Sequence, residues 1–286
     1  MKIKHIPIYL FIALTPAIIS CDDFVSDVDV PLTKPKLVVN SYISPEDSEI
    51  KVIVQRSLPL YTEHPAYDQK FPVVSDATVI LTQGENSITI PYYPYAGHYH
   101  STTSEFPVEP GKTYYLEVST PDGDKVTASC TVPFNLPPDI EITNIESRNE
   151  DGYSQKTVYF RFQDTPGAGD FYRSELMIRY GDGTPGNSYY TPMDLETGDR
   201  FVADANKDGE YFIYKTFGIG IIPNEKPSLL IHLSLTDKNY YSFHKSAYTD
   251  EDDNPFVEPT PVFSNIEGGL GVFGAFRGSL TEIELN

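Results

Sequence analysis

Short alternations of apolar and polar residues recur along this chain, and they restrict what it can fold into more than any other feature. Ile50, Val52 and Val54 alternate with Lys51 and Gln55, Ala77, Val79 and Leu81 with Thr78 and Thr82, and Tyr114, Leu116 and Val118 with Thr113 and Glu117. Val158, Phe160 and Phe162 oppose Arg161 and Gln163; Leu229 to Leu235 and Thr281 to Leu285 repeat the pattern. A period of two puts every second side chain on one face, so each run reads as a half-buried strand. The runs are separated by turn formers, supplied by 24 Pro and 19 Gly. An all-β chain of antiparallel sandwiches is expected. One segment departs from this. In TDKNYYSFHKSAY, residues 236–248, Tyr240, Phe243 or His244, and Ala247 fall at helical spacing behind Thr236 or Asp237 as the cap. One short helix near 237–248 is expected.

The strand pattern breaks at PFNLPPD, residues 133–139, where three prolines mark a boundary. Two β-sandwich domains follow, an N-terminal one over 37–134 and a C-terminal one over 138–286. The turn Pro110-Gly111 feeding KTYYLEV resembles the edge turn of immunoglobulin-like and transthyretin-like export domains.

Ahead of the first domain, Lys2 and Lys4 precede an apolar run, Ile6 to Ile19, broken by Pro7, Thr15 and Pro16. A spanning helix needs about 20 apolar residues, so this run reads as a secretory signal over 1–20. Ile18-Ile19-Ser20-Cys21 resembles the bacterial lipobox, which implies that the Cys21 thiol is acylated with chains such as palmitate and becomes the mature first residue. Each buried CH₂ is worth about 0.8 kcal/mol, so two or three chains anchor a protein firmly. Residues 21–36, acidic and proline-bearing, then form a stalk. A formal net charge of −20 with no basic stripe argues against nucleic acid as a partner. The second cysteine, Cys130, alternates with Val126, Ala128 and Val132 and reads as a small buried hydrophobe.

Several motifs invite chemistry. Gly269-Leu270-Gly271-Val272-Phe273-Gly274 matches a dinucleotide fingerprint in spacing, but the chain ends 12 residues after it and no helix follows. Those glycines read as points of close backbone approach in a strand, and no cofactor is expected. Asp204, Asn206 and Asp208 with Gly209 match the first half of a calcium loop, yet the twelfth position holds Lys215 instead of glutamate. An Asp-Gly turn accounts for them; calcium is the weaker reading and no metal is assigned. His98 and His100 share a strand face, with His64 the nearest third ligand, a set too small to fix a transition metal. Tyr61, Tyr67, Tyr92, Tyr93, Tyr95 and Tyr99 form two clusters that serve either as a loop-built binding surface or as strand and core aromatics. There is no G-x-S-x-G elbow, no H-E-x-x-H helix and no P-loop. No catalytic residue is assigned, and the chain is not expected to be an enzyme.

NPFVEPTPVFSNIEGGLGVFGAF, residues 254–276, resembles the closing signature of the family known as domain of unknown function 4249, lipoproteins of Bacteroidota. LVVNSYISPED (37–47), SDATVILTQG (75–84) and VEPGKTYYLEV (108–118) are similar to its earlier landmarks, in the same order. Asn265, Gly268, Gly269, Gly271 and Gly274 carry the signature. The resemblance implies an outer-membrane lipoprotein, often beside a TonB-dependent receptor, and implies no activity. The expected function is therefore an anchored accessory lipoprotein that binds a ligand or partner. The alternatives are a surface hydrolase of glycan or peptide, marked by two carboxylates about 5–10 Å apart in a cleft, and a structural or adhesive module with no concave pocket.

Overall fold

In a computed structural model that describes residues 34–58, 72–150, 153–181, 184, 186–205, 207–249 and 261–285, the alternating runs are strands. Apart from Lys34, these residues fall in one compact unit, Pro35–Leu58 with Pro65–Asn286. The first half holds β1 (Leu37–Ile43), β2 (Glu49–Arg56), β3 (Thr78–Gln83), β4 (Asn86–Ile90), β5 (Tyr92–Tyr93), β6 (His98–Thr102), β7 (Thr113–Ser119) and β8 (Lys125–Thr131). β4, β3, β7 and β8 make one sheet in that order. Their inward residues Val79, Leu81, Tyr114, Leu116 and Val126 join Val39, Ile43, Ile50, Val52 and Tyr99 of β1, β2 and β6 in a single core. Cys130 lies in that core as a free thiol, pushed well up in pKa by burial.

The second half holds β9 (Glu141–Glu150), β10 (Tyr153–Gln163), β11 (Phe171–Gly181), β12 (Ser188–Met193), β13 (Leu195–Thr197), β14 (Phe201–Ala203), β15 (Tyr211–Thr216), β16 (Ile219–Ile221), β17 (Ser228–Thr236), α1 (Lys238–Thr249) and β18 (Leu270–Glu284). β9, β10, β13, β15 and β16 form a second small sheet. Phe160, Phe162, Phe212 and Tyr214 from it meet Tyr172, Ile178, Leu229, Ile231 and Leu233 of β11 and β17 in a second core.

A nine-stranded sheet runs behind both cores in the order β12-β11-β17-β18-β1-β2-β6-β5, with β14 on β11. The architecture is mostly antiparallel strands, as expected, with one parallel pair at the centre of this sheet. Leu270–Ala275 of β18 run parallel to Val38–Ile43 of β1, while Phe276–Glu284 run antiparallel to β17. A parallel neighbour needs a long crossover, and here the crossover is most of the chain. The proline-rich segment at 133–139 divides the two cores by sequence, but β18 crosses that division. Phe273 and Ala275 of β18 are buried in the first core, Ile283 of the same strand packs against the second, and Leu285 just beyond it is buried there.

α1 begins where the sequence expects it, and Asp237 caps it. Asp237 Oδ1 accepts the Tyr240 N–H at 2.8 Å, satisfying an otherwise orphaned donor of the first turn. The Asp237 N–H donates to the Ala275 carbonyl at 2.9 Å and ties the helix start to β18.

Candidate functional site

The glycine-rich stretch brings β1, β18 and α1 together. Gly271 has φ +105°, a backbone region that other residues rarely enter, and a Cβ on it would lie 2.1 Å from the Val39 carbonyl oxygen. A Cβ on Gly269 would lie 2.7 Å from the Leu37 carbonyl oxygen, and one on Gly274 would lie 2.9 Å from Tyr240 Cβ. β18 can thus run tight against β1, and the first turn of α1 can rest on β18. Gly268, at φ +82°, makes the turn into the strand. Asn265 acts as a substitute strand partner: its Oδ1 accepts the Phe273 N–H at 2.9 Å and its Nδ2 donates to the Phe273 carbonyl at 2.8 Å. The same Nδ2 donates to the Ser129 carbonyl at 3.1 Å.

This junction opens a cavity of about 560 Å³ on the outer face of the large sheet. Asn40 and Tyr42 of β1 with Lys51 and Ile53 of β2 form its floor, Arg173 of β11 with Tyr240 and His244 of α1 its wall, and Phe276, Asp47 and Glu49 its rim. The strand period explains why these side chains converge. On β1, Val39 and Ile43 go to the core, so Asn40 and Tyr42 point the other way. On β11, Tyr172, Ser174 and Leu176 are buried inward, which turns Arg173 toward the helix. Tyr42, Tyr240 and His244 form a mutual ring cluster with centroids 4.4–5.1 Å apart.

Arg173 is the chemical centre. Its Nη1 donates to the Tyr240 hydroxyl, its Nη2 donates to Glu175 Oε1, and only 16% of its side chain is exposed. Its guanidinium also lies over the rings of Tyr240 and Phe201 at 5.6 and 5.7 Å, a cation–π arrangement. Among the described residues, six buried side-chain polar atoms have no hydrogen-bond partner in the protein, and Arg173 Nε, Asn40 Oδ1 and His244 Nε2 are three of them. All three residues line this one cavity. Burial and the adjacent Arg173 charge push the His244 imidazole down to about 4, so it is neutral at pH 7. Burial raises the Tyr42 and Tyr240 phenols, and burial followed by Glu46 raises Asp47. His232 and Arg173 hold Glu175 below the usual carboxylate range.

A larger groove, about 960 Å³, lies over the outer face of β3, β7 and β8 and is lined by Tyr115, Glu117, Thr127, Asn265 and Glu267. Its polar groups bond one another: Asn265 is engaged as above and Thr127 pairs with Glu267 through backbone and side chain. None of the three unpaired atoms faces it, and the Arg173 cavity is the stronger site on chemistry.

A family model described as domain of unknown function (DUF4249) matches residues 22–279. The chain belongs to the DUF4249 family. No curated protein matches it. Asn265, Gly268, Gly269, Gly271 and Gly274, the residues on which the sequence resemblance rests, sit at the β1–β18–α1 junction, and Gly274 packs against Tyr240 of the pocket.

Of the tyrosines weighed as a binding surface, the four described ones pair ring to ring, Tyr92 with Tyr99 and Tyr93 with Tyr95, but divide between core and surface. Tyr99 is a correction: it is 2% exposed, with its hydroxyl donating to the Val74 carbonyl at 3.0 Å and accepting the Ala77 N–H at 2.8 Å. Its position on the inward face of β6 makes it core. Tyr92 packs against that core, whereas Tyr93 and Tyr95 are exposed. Cys21, Tyr61, Tyr67 and His64 lie outside the described residues. His98 and His100 lie on one strand face with ring centroids 6.2 Å apart.

The acidic turn has partners the linear motif did not show. Carboxylate oxygens of Asp164, Asp170 and Asp204 lie within 4.8 Å of one another, the first and last of these residues buried. Asp164 accepts the Tyr172 hydroxyl at 2.7 Å and the Gly209 N–H at 2.9 Å, and Asp204 accepts the Gly169 N–H at 2.7 Å. Burial, then Asp164 and Asp204, raise the Asp170 carboxyl. An all-oxygen set of this kind suits a hard cation. Asp208 is turned aside to accept the Gly167 N–H at 2.8 Å, Asn206 lies outside the described residues, and Lys215 pairs with Glu196 at 2.6 Å in β15. The turn does not close on itself as a calcium loop does; the β10–β11 connection supplies the other acids.

Proposed function

We propose that this DUF4249 chain is a non-catalytic binding lipoprotein, held at the outer membrane of a Bacteroidota cell through acylated Cys21, that captures a small ligand beside a TonB-dependent receptor. The observation that carries the binding role is a cavity lined by Asn40, Arg173 and His244, each of which holds a buried side-chain polar atom without a protein partner. A buried polar group without a partner costs about 1–3 kcal/mol. Three of them cost roughly 3–9 kcal/mol, a large share of the 5–15 kcal/mol that holds a domain folded. A ligand entering the cavity, with rotation of these side chains, can supply the missing partners and recover that cost. The carboxylates near the cavity do not favour hydrolysis: Glu49 is held by Lys51 at 2.5 Å and Glu175 by Arg173. The lipobox and stalk support the membrane address, and the family resemblance supports the receptor.

The test is a native mass spectrum of the mature chain purified from its own membranes without dialysis. The expected result is a population carrying a non-covalent small-molecule adduct on a diacylated or triacylated protein. A spectrum with only unliganded chain contradicts the binding role, and an unmodified Cys21 contradicts the anchor.

A further inference from the structure

The charges and unpaired atoms around the Arg173 cavity restrict what can enter it. Both cations there are already answered, Arg173 by Glu175 and Lys51 by Glu49. Asp47 adds a further carboxylate at the rim, so the two cations of the lining meet Asp47 and Glu49 within it and Glu175 behind Arg173. A full anion would enter against that balance. What remains unsatisfied is a donor, Arg173 Nε–H, an acceptor, Asn40 Oδ1, and the neutral imidazole nitrogen His244 Nε2, which takes either role by tautomer.

We propose that the cavity takes a neutral saccharide, with ring hydroxyls pairing Arg173 Nε, Asn40 Oδ1 and His244 Nε2. This rests on the binding role proposed above. A hydroxyl both donates and accepts, so adjacent hydroxyls on one ring can serve a donor and an acceptor on the walls of a single cavity. A trans peptide offers the same two groups pointing in opposite directions, which suits an extended groove. The half-buried rings of Tyr42 and Phe276 supply apolar surface for the C–H faces of a sugar. The volume, about 560 Å³, is in the range of small-molecule sites. The three atoms are sealed from bulk water, so entry of the sugar requires side-chain rotation at the wall.

Calorimetric titration tests this with glucose, galactose, mannose, xylose and their common disaccharides, beside glucuronate and triglycine. At least one neutral saccharide is expected to bind, more tightly than glucuronate. Arg173→Lys, which keeps the charge and removes the Nε–H, should weaken binding at least tenfold, and Tyr95→Ala should leave it unchanged. Because Arg173 is largely enclosed, with only 16% of its side chain exposed, a second readout uses the native protein: the saccharide should slow amide exchange in 38–43 and 238–248. The proposal is overturned if no neutral saccharide binds, if protection falls elsewhere, or if a folded Arg173→Lys protein binds as well as the parent. Triglycine or glucuronate binding in an Arg173-dependent way, with no sugar bound, would keep the pocket and reject the ligand class. Binding of nothing, with no adduct in the native spectrum, would reject the pocket itself.

Discussion

Replacing Gly271 with alanine attacks the parallel contact between β1 and β18 at its tightest point. Two costs add. At φ +105° a residue with a Cβ is strained, by about 1–2 kcal/mol. The new Cβ would also lie 2.1 Å from the Val39 carbonyl oxygen, so β1 must move, at a further ~1–3 kcal/mol typical of overpacking. The sum, about 2–5 kcal/mol, corresponds to a fall in Tm of roughly 4–20 °C for a chain of this size. Gly220→Ala is the control. Gly220 also sits in a strand, β16, but has ordinary φ and nothing within 4 Å of its would-be Cβ, so its loss should stay under ~0.5 kcal/mol. Urea unfolding followed by tyrosine fluorescence gives both values, and amide exchange in 38–43 should accelerate only in Gly271→Ala. If Gly271→Ala unfolds within 0.5 kcal/mol of the parent, the close parallel approach does not exist as described.

Other predictions follow from single groups. Burial lifts the Asp237 carboxyl to about 6, above its unfolded value near 4, so its contribution to stability is complete below pH 4 and is lost as pH rises to about 6. Asp237→Asn keeps a capping oxygen for the Tyr240 N–H and should be more stable than the parent at pH 7, by about 2–3 kcal/mol, with the gap closing by pH 4; urea midpoints across that range decide it. His244 runs the opposite way. Its folded value near 4 lies below the unfolded ~6.5, so its contribution is present above pH 6.5 and lost as pH falls toward 4, and His244→Gln should remove that loss. Asp170→Asn should stabilise the chain in chelator at pH 7 by ~0.5–1 kcal/mol after allowance for solvent screening, because Asp164 and Asp204 repel the charge; a lower Tm would refute the crowding. Tyr99→Phe should cost about 1–3 kcal/mol by orphaning the Ala77 N–H and the Val74 carbonyl, while Tyr95→Ala, at a residue 94% exposed, should not register in the same melt.

The strands and α1 are legible in the sequence because their signal is local. Ile50, Val52 and Val54 declare a half-buried strand within five residues, and Asp237 announces the helix one residue before it starts. The parallel β1–β18 pair is not legible that way, since Val39 and Gly271 lie 232 residues apart and neither run encodes its partner. The glycines at 269, 271 and 274 do signal close backbone approach, but not what approaches. The tyrosines left two readings open for a physical reason: the same aromatic that suits an exposed loop also fills a core, and inward register with two backbone hydrogen bonds decides Tyr99. The cavity was hidden because Asn40, Arg173 and His244 come from three elements. Its one local trace is polar Asn40 and Tyr42 alternating with core-facing Val39 and Ile43. The carboxylate cluster was half visible, with Asp204 in the acidic motif and Asp164 and Asp170 in another turn.

A high-resolution crystal structure of the protein purified from its membranes tests the ligand role most directly. Ordered density within hydrogen-bonding reach of Arg173 Nε, in a cavity bounded by Asn40, Tyr42 and His244, is the predicted result. Arg173 Nε paired instead to a protein group, with the space between β1 and α1 filled by side chains, would contradict it.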